Sequence, residues 1–154
     1  MRLRVSFWVC LVFLAVTGAV AATPAHAQVS PGVQAGISLD PDQFYFGGHI
    51  ETTPLIDRLR FRPSVDIGLG DDLTLVAGNF DFTYTFPSSS NGWNLYVGAG
   101  PTINWYDSDN GDSDTEGGFN FIVGAKQNSR LFFEFKVGLE GSPDLKFGVG
   151  YTFR

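Results

Sequence analysis

The sequence predicts an all-β protein, an eight-stranded antiparallel up-and-down transmembrane β-barrel. Three observations predict it. Eight segments alternate apolar and polar residues with period two. The chain opens on what reads as an export signal. It closes on residues 144–153, where Leu145, Phe147, Val149, Tyr151 and Phe153 share one face, and Asp144, Lys146, Gly148, Gly150 and Thr152 the other. About ten residues of that kind are what a tilted strand needs to cross a bilayer.

Residues 1–27 read as a secretory signal peptide. Arg2 and Arg4 form a basic start, residues 5–22 an apolar run, and Ala25-His26-Ala27 a small-residue cleavage site before Gln28. The only cysteine, Cys10, lies in this leader, so residues 28–154 have no thiol, disulfide or Cys-based metal site. They are expected to form one barrel domain. Setting aside Arg2 and Arg4, eight basic residues face 16 acidic ones. Nucleic-acid binding, which depends on basic residues neutralising phosphates, is not expected of such a chain.

The strands follow in order. Val33, Ala35, Ile37 and Leu39 form the first apolar face, and Phe44, Phe46, Gly48 and Ile50 the second. Leu59, Phe61, Pro63, Val65, Ile67 and Leu69 form the third, opposite Arg60, Arg62, Ser64, Asp66 and Gly68. In the fourth, Leu73, Leu75 and Ala77 are odd-numbered but Phe80, Phe82, Tyr84 and Phe86 even. A β-bulge at Gly78-Asn79 would absorb that slip and set Asp81 opposite Arg62. Trp93, Leu95, Val97, Ala99, Ile103 and Trp105 mark the fifth strand, and Phe119, Phe121, Val123 and Ala125 the sixth. Leu131, Phe133, Phe135, Val137 and Leu139 mark the seventh, opposite Phe132, Glu134, Lys136 and Gly138. Turn residues separate them at 40–42, 70–72, 87–92, 128–130 and 141–143.

Two closed barrels fit this pattern, one turning the aromatic face inward around a ligand as in lipocalins, the other turning it to lipid. The polar face decides for lipid. It interleaves both signs of charge with glycine, which suits a narrow lumen and not a soluble surface. Arg60, Arg62, Asp81, Glu134 and Lys136 are expected to form an internal ion-pair network, with Asp66 and Lys146 nearby. The apolar face carries no charge in any strand, as lipid exposure requires. Aromatic girdles are expected from Phe86, Trp93, Phe133, Tyr151 and Phe153 at one rim, and from Phe44, Trp105, Tyr106 and Phe119 at the other. Pro63 and Pro101 count against the barrel mildly, since each removes a ladder hydrogen bond.

With these residues in place, positions 33–153 resemble the small eight-stranded outer-membrane barrel proteins of diderm bacteria. Lys146-Phe-Gly-Val-Gly-Tyr-Thr-Phe153 is similar to their C-terminal assembly signal. The resemblance implies that Gly148, Tyr151 and Phe153 are read by the barrel-assembly machinery. Arg154 departs from it, since such chains commonly end on the aromatic. Some barrels of this size are lipid-modifying hydrolases with a His and Ser two residues apart. Here the stretch reads His49-Ile50-Glu51, with no serine in reach along the strand, so no triad assembles and no catalytic residue is expected.

The longest connection is residues 107–118. Asp107, Asp109, Asp112, Asp114 and Glu116 supply hard oxygen ligands around Gly111, which suits weak binding of a divalent cation, although the spacing is not that of an EF-hand. A solvated acidic loop is the plainer reading. The sequence thus points to a monomeric, non-enzymatic outer-membrane barrel without cofactor, structural or surface-interacting. A narrow solute pore and a soluble carrier of apolar ligands stand as alternatives.

Overall fold

The computed structural model describes residues 28–87 and 91–153; the leader expected at 1–27 lies outside them, as does Arg154. The eight strands are β1 (Ser30–Leu39), β2 (Gln43–Glu51), β3 (Leu59–Leu69), β4 (Leu73–Thr85), β5 (Trp93–Ser108), β6 (Ser113–Gln127), β7 (Leu131–Leu139) and β8 (Leu145–Thr152). Each pairs antiparallel with its neighbour, and β1 pairs with β8, so the sheet closes into an all-β barrel without an open edge around its girth. Both ends of the described chain lie at one mouth, here termed proximal. The turns β1–β2, β3–β4, β5–β6 and β7–β8 lie at the distal mouth.

Alternation sorts the side chains as the sequence requires. Arg62, Asp66, Asp81, Glu134, Lys136 and Lys146 are buried inside, while Val33, Phe44, Leu95, Val123 and Phe135 each leave at least half of their surface exposed outside. The inward-aromatic, carrier-like arrangement is therefore not the one formed. Long lumen side chains fit because glycine sits beside them. Gly36 and Gly148 are cross-strand partners on β1 and β8, and a Cβ on either would collide with the Tyr45 ring. Gly150 likewise yields to Phe132.

The bulge expected at Gly78-Asn79 is absent. β3 and β4 stay in one register from Leu59↔Tyr84 to Leu69↔Thr74, and this unbroken register itself sets Arg62 opposite Asp81. Consequently Leu75 and Ala77 point into the lumen, each 1% exposed. Gly68, the cross-strand partner of Leu75, leaves the room that the Gln43 side chain fills, with Leu75 packed beside it. An apolar lumen residue costs nothing when it is packed, so no phase correction was needed.

Two further expectations change. The acidic stretch after Trp105 is mainly strand, because β5 and β6 run 16 and 15 residues and pair as far as Asp107↔Ser113. Only residues 109–112 turn, closed by bonds from Ser108 N to Asp112 O at 2.9 Å and Gly111 N to Ser108 O at 2.9 Å. Strand that has left the apolar band needs no apolar face, so its composition looked like loop. Tyr106 does not join the distal girdle. Its hydroxyl turns inward and donates to Gly141 O at 2.9 Å.

The prolines interrupt the ladder where expected. The β2–β3 pairing stops at His49↔Ser64, short of Pro63, and resumes with Thr52 N to Phe61 O at 3.0 Å. The β4–β5 pairing skips Phe80 and Asp81, opposite Pro101 and Gly100.

Candidate functional site: the lumen and its two mouths

The lumen holds charge in pairs. Arg62 Nη2 lies 2.5 Å from Glu134 Oε2, which also accepts the Tyr96 hydroxyl at 2.7 Å. Lys136 Nζ sits 2.9 Å from Asp81 Oδ2 and 3.6 Å from Glu134 Oε1. Asp66 accepts Gln34 Nε2 at 2.5 Å and Asn79 Nδ2 at 3.0 Å, with Lys146 at 3.8 Å. Asn120, Asn79 and Ser64 continue the chain of hydrogen bonds around the wall.

Aromatic faces complete the packing. The Arg62 guanidinium lies 5.0 Å from the Phe132 ring centre and 5.6 Å from that of Tyr96, and Lys146 Nζ lies 4.8 Å from that of Tyr45. Tyr96, Ile122 and Phe132 pack together. Three cations thus meet three carboxylates in the middle of the barrel. An ion so buried is tolerated only when it is paired: all six are paired, five of them through hydrogen bonds, while Lys146 approaches Asp66 only to 3.8 Å and rests against the Tyr45 ring.

Of the five residues expected to form one network, the structure brings four together: Arg62, Asp81, Glu134 and Lys136. Arg60 stands apart at the proximal mouth, where its Nη1 reaches Glu51 Oε1 at 3.3 Å, and Lys126 Nζ bonds the other oxygen of Glu51. Sequence reasoning missed Lys126. Its even-numbered place opposite Ala125 was visible, but its partner lies 75 residues away.

His49 Nε2 meets Thr152 Oγ1 at 3.1 Å, a hydroxyl–imidazole pair formed between β2 and β8 that a search along one strand does not find. Both residues are buried in the lumen, Phe132 packs edge-on against the imidazole, and Nδ1 has no hydrogen-bond partner among the described residues. A nucleophile–base pair needs a third group to orient the base and a path for substrate. The described residues supply no such third group, and both members of the pair are buried.

The distal mouth is closed by the β7–β8 loop. Asn104 Nδ2 donates to Gly141 O at 2.6 Å beside the Tyr106 bond, and Pro143 is buried. The five carboxylates of 107–116 are spread over two strands and a turn. Among the described residues, no group of three acidic, His or Cys side chains converges to hold a metal ion.

Gly148, Tyr151 and Phe153 lie on β8 and just past it. Gly148 faces the lumen beside Tyr45, while Tyr151 and Phe153 point outward with their rings 5.5 Å apart. Tyr84–Phe86 and Trp93–Phe133 contacts continue this aromatic belt around the proximal rim. Phe44, Trp105 and Phe119 point outward near the distal rim.

Charge is segregated along the axis. Beyond the distal rim lie Asp40, Asp42, Asp71, Asp72, the five carboxylates of 107–116, Glu140 and Asp144, with no basic residue among them. At the proximal mouth Arg58, Arg60, Lys126 and Arg130 outnumber Glu51 and Asp57 among the described residues.

No family model matches the sequence, and no curated protein matches it. Solved structures that share its fold include the following three. The N-terminal β-barrel domain of Pseudomonas aeruginosa OprF superposes with a TM-score of 0.62 at 19% identity, over 83% of this chain and 100% of that one. Neisserial surface protein A gives 0.58 at 13%, over 81% and 94%. The outer membrane enzyme PagL gives 0.53 at 10%, over 82% and 99%. The chain is thus a closed eight-stranded antiparallel barrel of the kind found among small outer-membrane barrels. One of the three is an enzyme, so the fold does not decide activity.

Proposed function

We propose that this protein is a non-enzymatic, monomeric integral barrel of the bacterial outer membrane, with a packed lumen and a structural or surface-contact role. The observation that carries this reading is the division of the two faces. Every strand turns uncharged apolar side chains outward, and the buried ion pairs are all inward. Soluble monomers rarely expose contiguous apolar patches beyond a few hundred Å². An exterior apolar around its whole girth calls for lipid as its solvent. The aromatic belts at both rims support the same reading.

In this orientation the proximal mouth faces the periplasm and the acidic distal end faces outward. Export by the leader and assembly through Gly148, Tyr151 and Phe153 belong to the same proposal. The distal hairpin is the part best placed for contact outside the cell. The burial of His49 and Thr152, without an orienting third group among the described residues, supports a non-enzymatic role.

A second reading is a narrow pore, favoured by the chain of polar groups along the lumen. Conductance in a planar bilayer separates the two. The packed lumen predicts no steady ohmic current from protein whose insertion is verified by its heat-dependent gel mobility. A reproducible unitary conductance would replace the structural reading by the pore.

A further inference from the structure

At the proximal mouth a cavity of ≈ 270 Å³ lies between the β2–β3 connection at Pro54, Asp57 and Arg58, the end of β4 at Thr85 and Phe86, and Ser129. Arg58, Arg60 and Lys126 line it, together with Glu51 and Asp57, so basic groups outnumber acidic ones. Lys126 and Glu51 form its buried floor. Arg60 leans in from the wall and commits only Nη1, to Glu51 at 3.3 Å and to Thr52 O at 3.4 Å; its Nε and Nη2 bond nothing among the described residues.

Arg58 is set by its backbone. Leu59 N bonds Ile56 O at 2.9 Å, Asp57 takes φ 48°, and Thr85 N bonds Arg58 O at 3.2 Å. Its guanidinium makes no hydrogen bond or ion pair to the described residues. Two guanidinium groups with unused donors therefore share one concave wall. Planar guanidinium donors match the oxygens of phosphate in pairs; Arg60 is partly shielded from competing water, while Arg58 is exposed. Phe86, part of the outward aromatic belt, forms the cavity's outer lip, so the recess borders the lipid-facing surface.

We propose that this mouth is a phosphate-binding site in which Arg58 and Arg60 grip the oxyanion above the Lys126–Glu51 floor. The phosphate comes either from a small soluble compound or from the headgroup of an anionic phospholipid at the neighbouring interface. Only the lipid source rests on the membrane reading above.

The test uses the whole mature barrel, with arginine side-chain Nε–Hε signals recorded by NMR in phosphate-free buffer. Inorganic phosphate is titrated into barrel in a zwitterionic, phosphate-free detergent. Separately, the signals are compared in phosphatidylcholine and phosphatidylglycerol nanodiscs. The expected result is a saturable shift of Arg58 and Arg60, weakened roughly tenfold in Arg58→Gln and in Arg60→Gln. Arg130→Gln, at the same mouth but outside the cavity, leaves it unchanged. Saturation by inorganic phosphate assigns a soluble ligand, and a response confined to phosphatidylglycerol assigns the headgroup.

Arg58→Gln removes no hydrogen bond or ion pair to the described residues, so its fold is expected to persist, and its heat-dependent gel mobility verifies this. A non-saturating shift, no response to either probe, or equal weakening by Arg130→Gln overturns the proposal. Phosphate binding in detergent would stand even if the protein were found not to reside in a membrane.

Discussion

Glu134 is the residue on which the lumen turns, because Arg62, Lys136 and Tyr96 all address its two oxygens. Replacing it with alanine strands Arg62 in a site where it is 2% exposed. Breaking a buried pair from one side costs about 3–5 kcal/mol. Urea unfolding in detergent should show a loss of that order for Glu134→Ala, and a much smaller one when Arg62→Met accompanies it. Equal losses would mean that the pair is not coupled. Gly148 gives a second residue-scale prediction. A valine there meets the Tyr45 hydroxyl, and overpacking of this kind costs about 1–3 kcal/mol. Refolded Gly148→Val should therefore be less stable than the parent. If Gly148 serves only as an assembly signal, its refolded stability in vitro would not change. Side-chain polarity was legible at this scale, and so was the role of glycine in making space. The partners were not. Lys126 meets Glu51, and His49 meets Thr152 across 103 residues, through closure of the barrel, which no local pattern records.

At the scale of the element, period two placed all eight strands, because each has one face in the lumen and one outside it. It failed where that contrast fades. Leu75 and Ala77 are apolar yet inward, so the alternation mimicked a bulge that the continuous β3–β4 register excludes. The ends of β5 and β6 lie beyond the apolar band, so polar residues occupy both of their faces and only backbone pairing reveals strand. The same contrast makes a prediction. Val123 points outward from β6 at the level of Phe135, whereas Thr115 lies on the distal part of the same strand. Val123→Arg should cost about 2–4 kcal/mol in bilayer-refolded protein, and Thr115→Arg close to nothing. Equal tolerance of the two substitutions in equilibrium unfolding would argue against lipid at Val123.

On the scale of the whole molecule, the barrel is polar along its axis. Eleven carboxylates and no basic residue mark the distal end, three cations balance three carboxylates inside, and basic residues prevail at the proximal mouth. The interior is neutral where water is excluded, and the net charge sits where solvent can screen it. Fold class was readable from the sequence because one two-residue rhythm serves the entire chain. The task was not, because the charged residues of the lumen pair with one another and the fold alone does not decide activity.

The proposed lipid cover of the apolar exterior can be tested directly. Its most direct measurement is the gel mobility of the protein in the detergent-extracted outer-membrane fraction, with and without boiling. A band confined to that fraction and shifted by heat is the predicted result, since a closed barrel resists detergent until it is unfolded. Recovery in osmotic-shock fluid without a heat shift would contradict it.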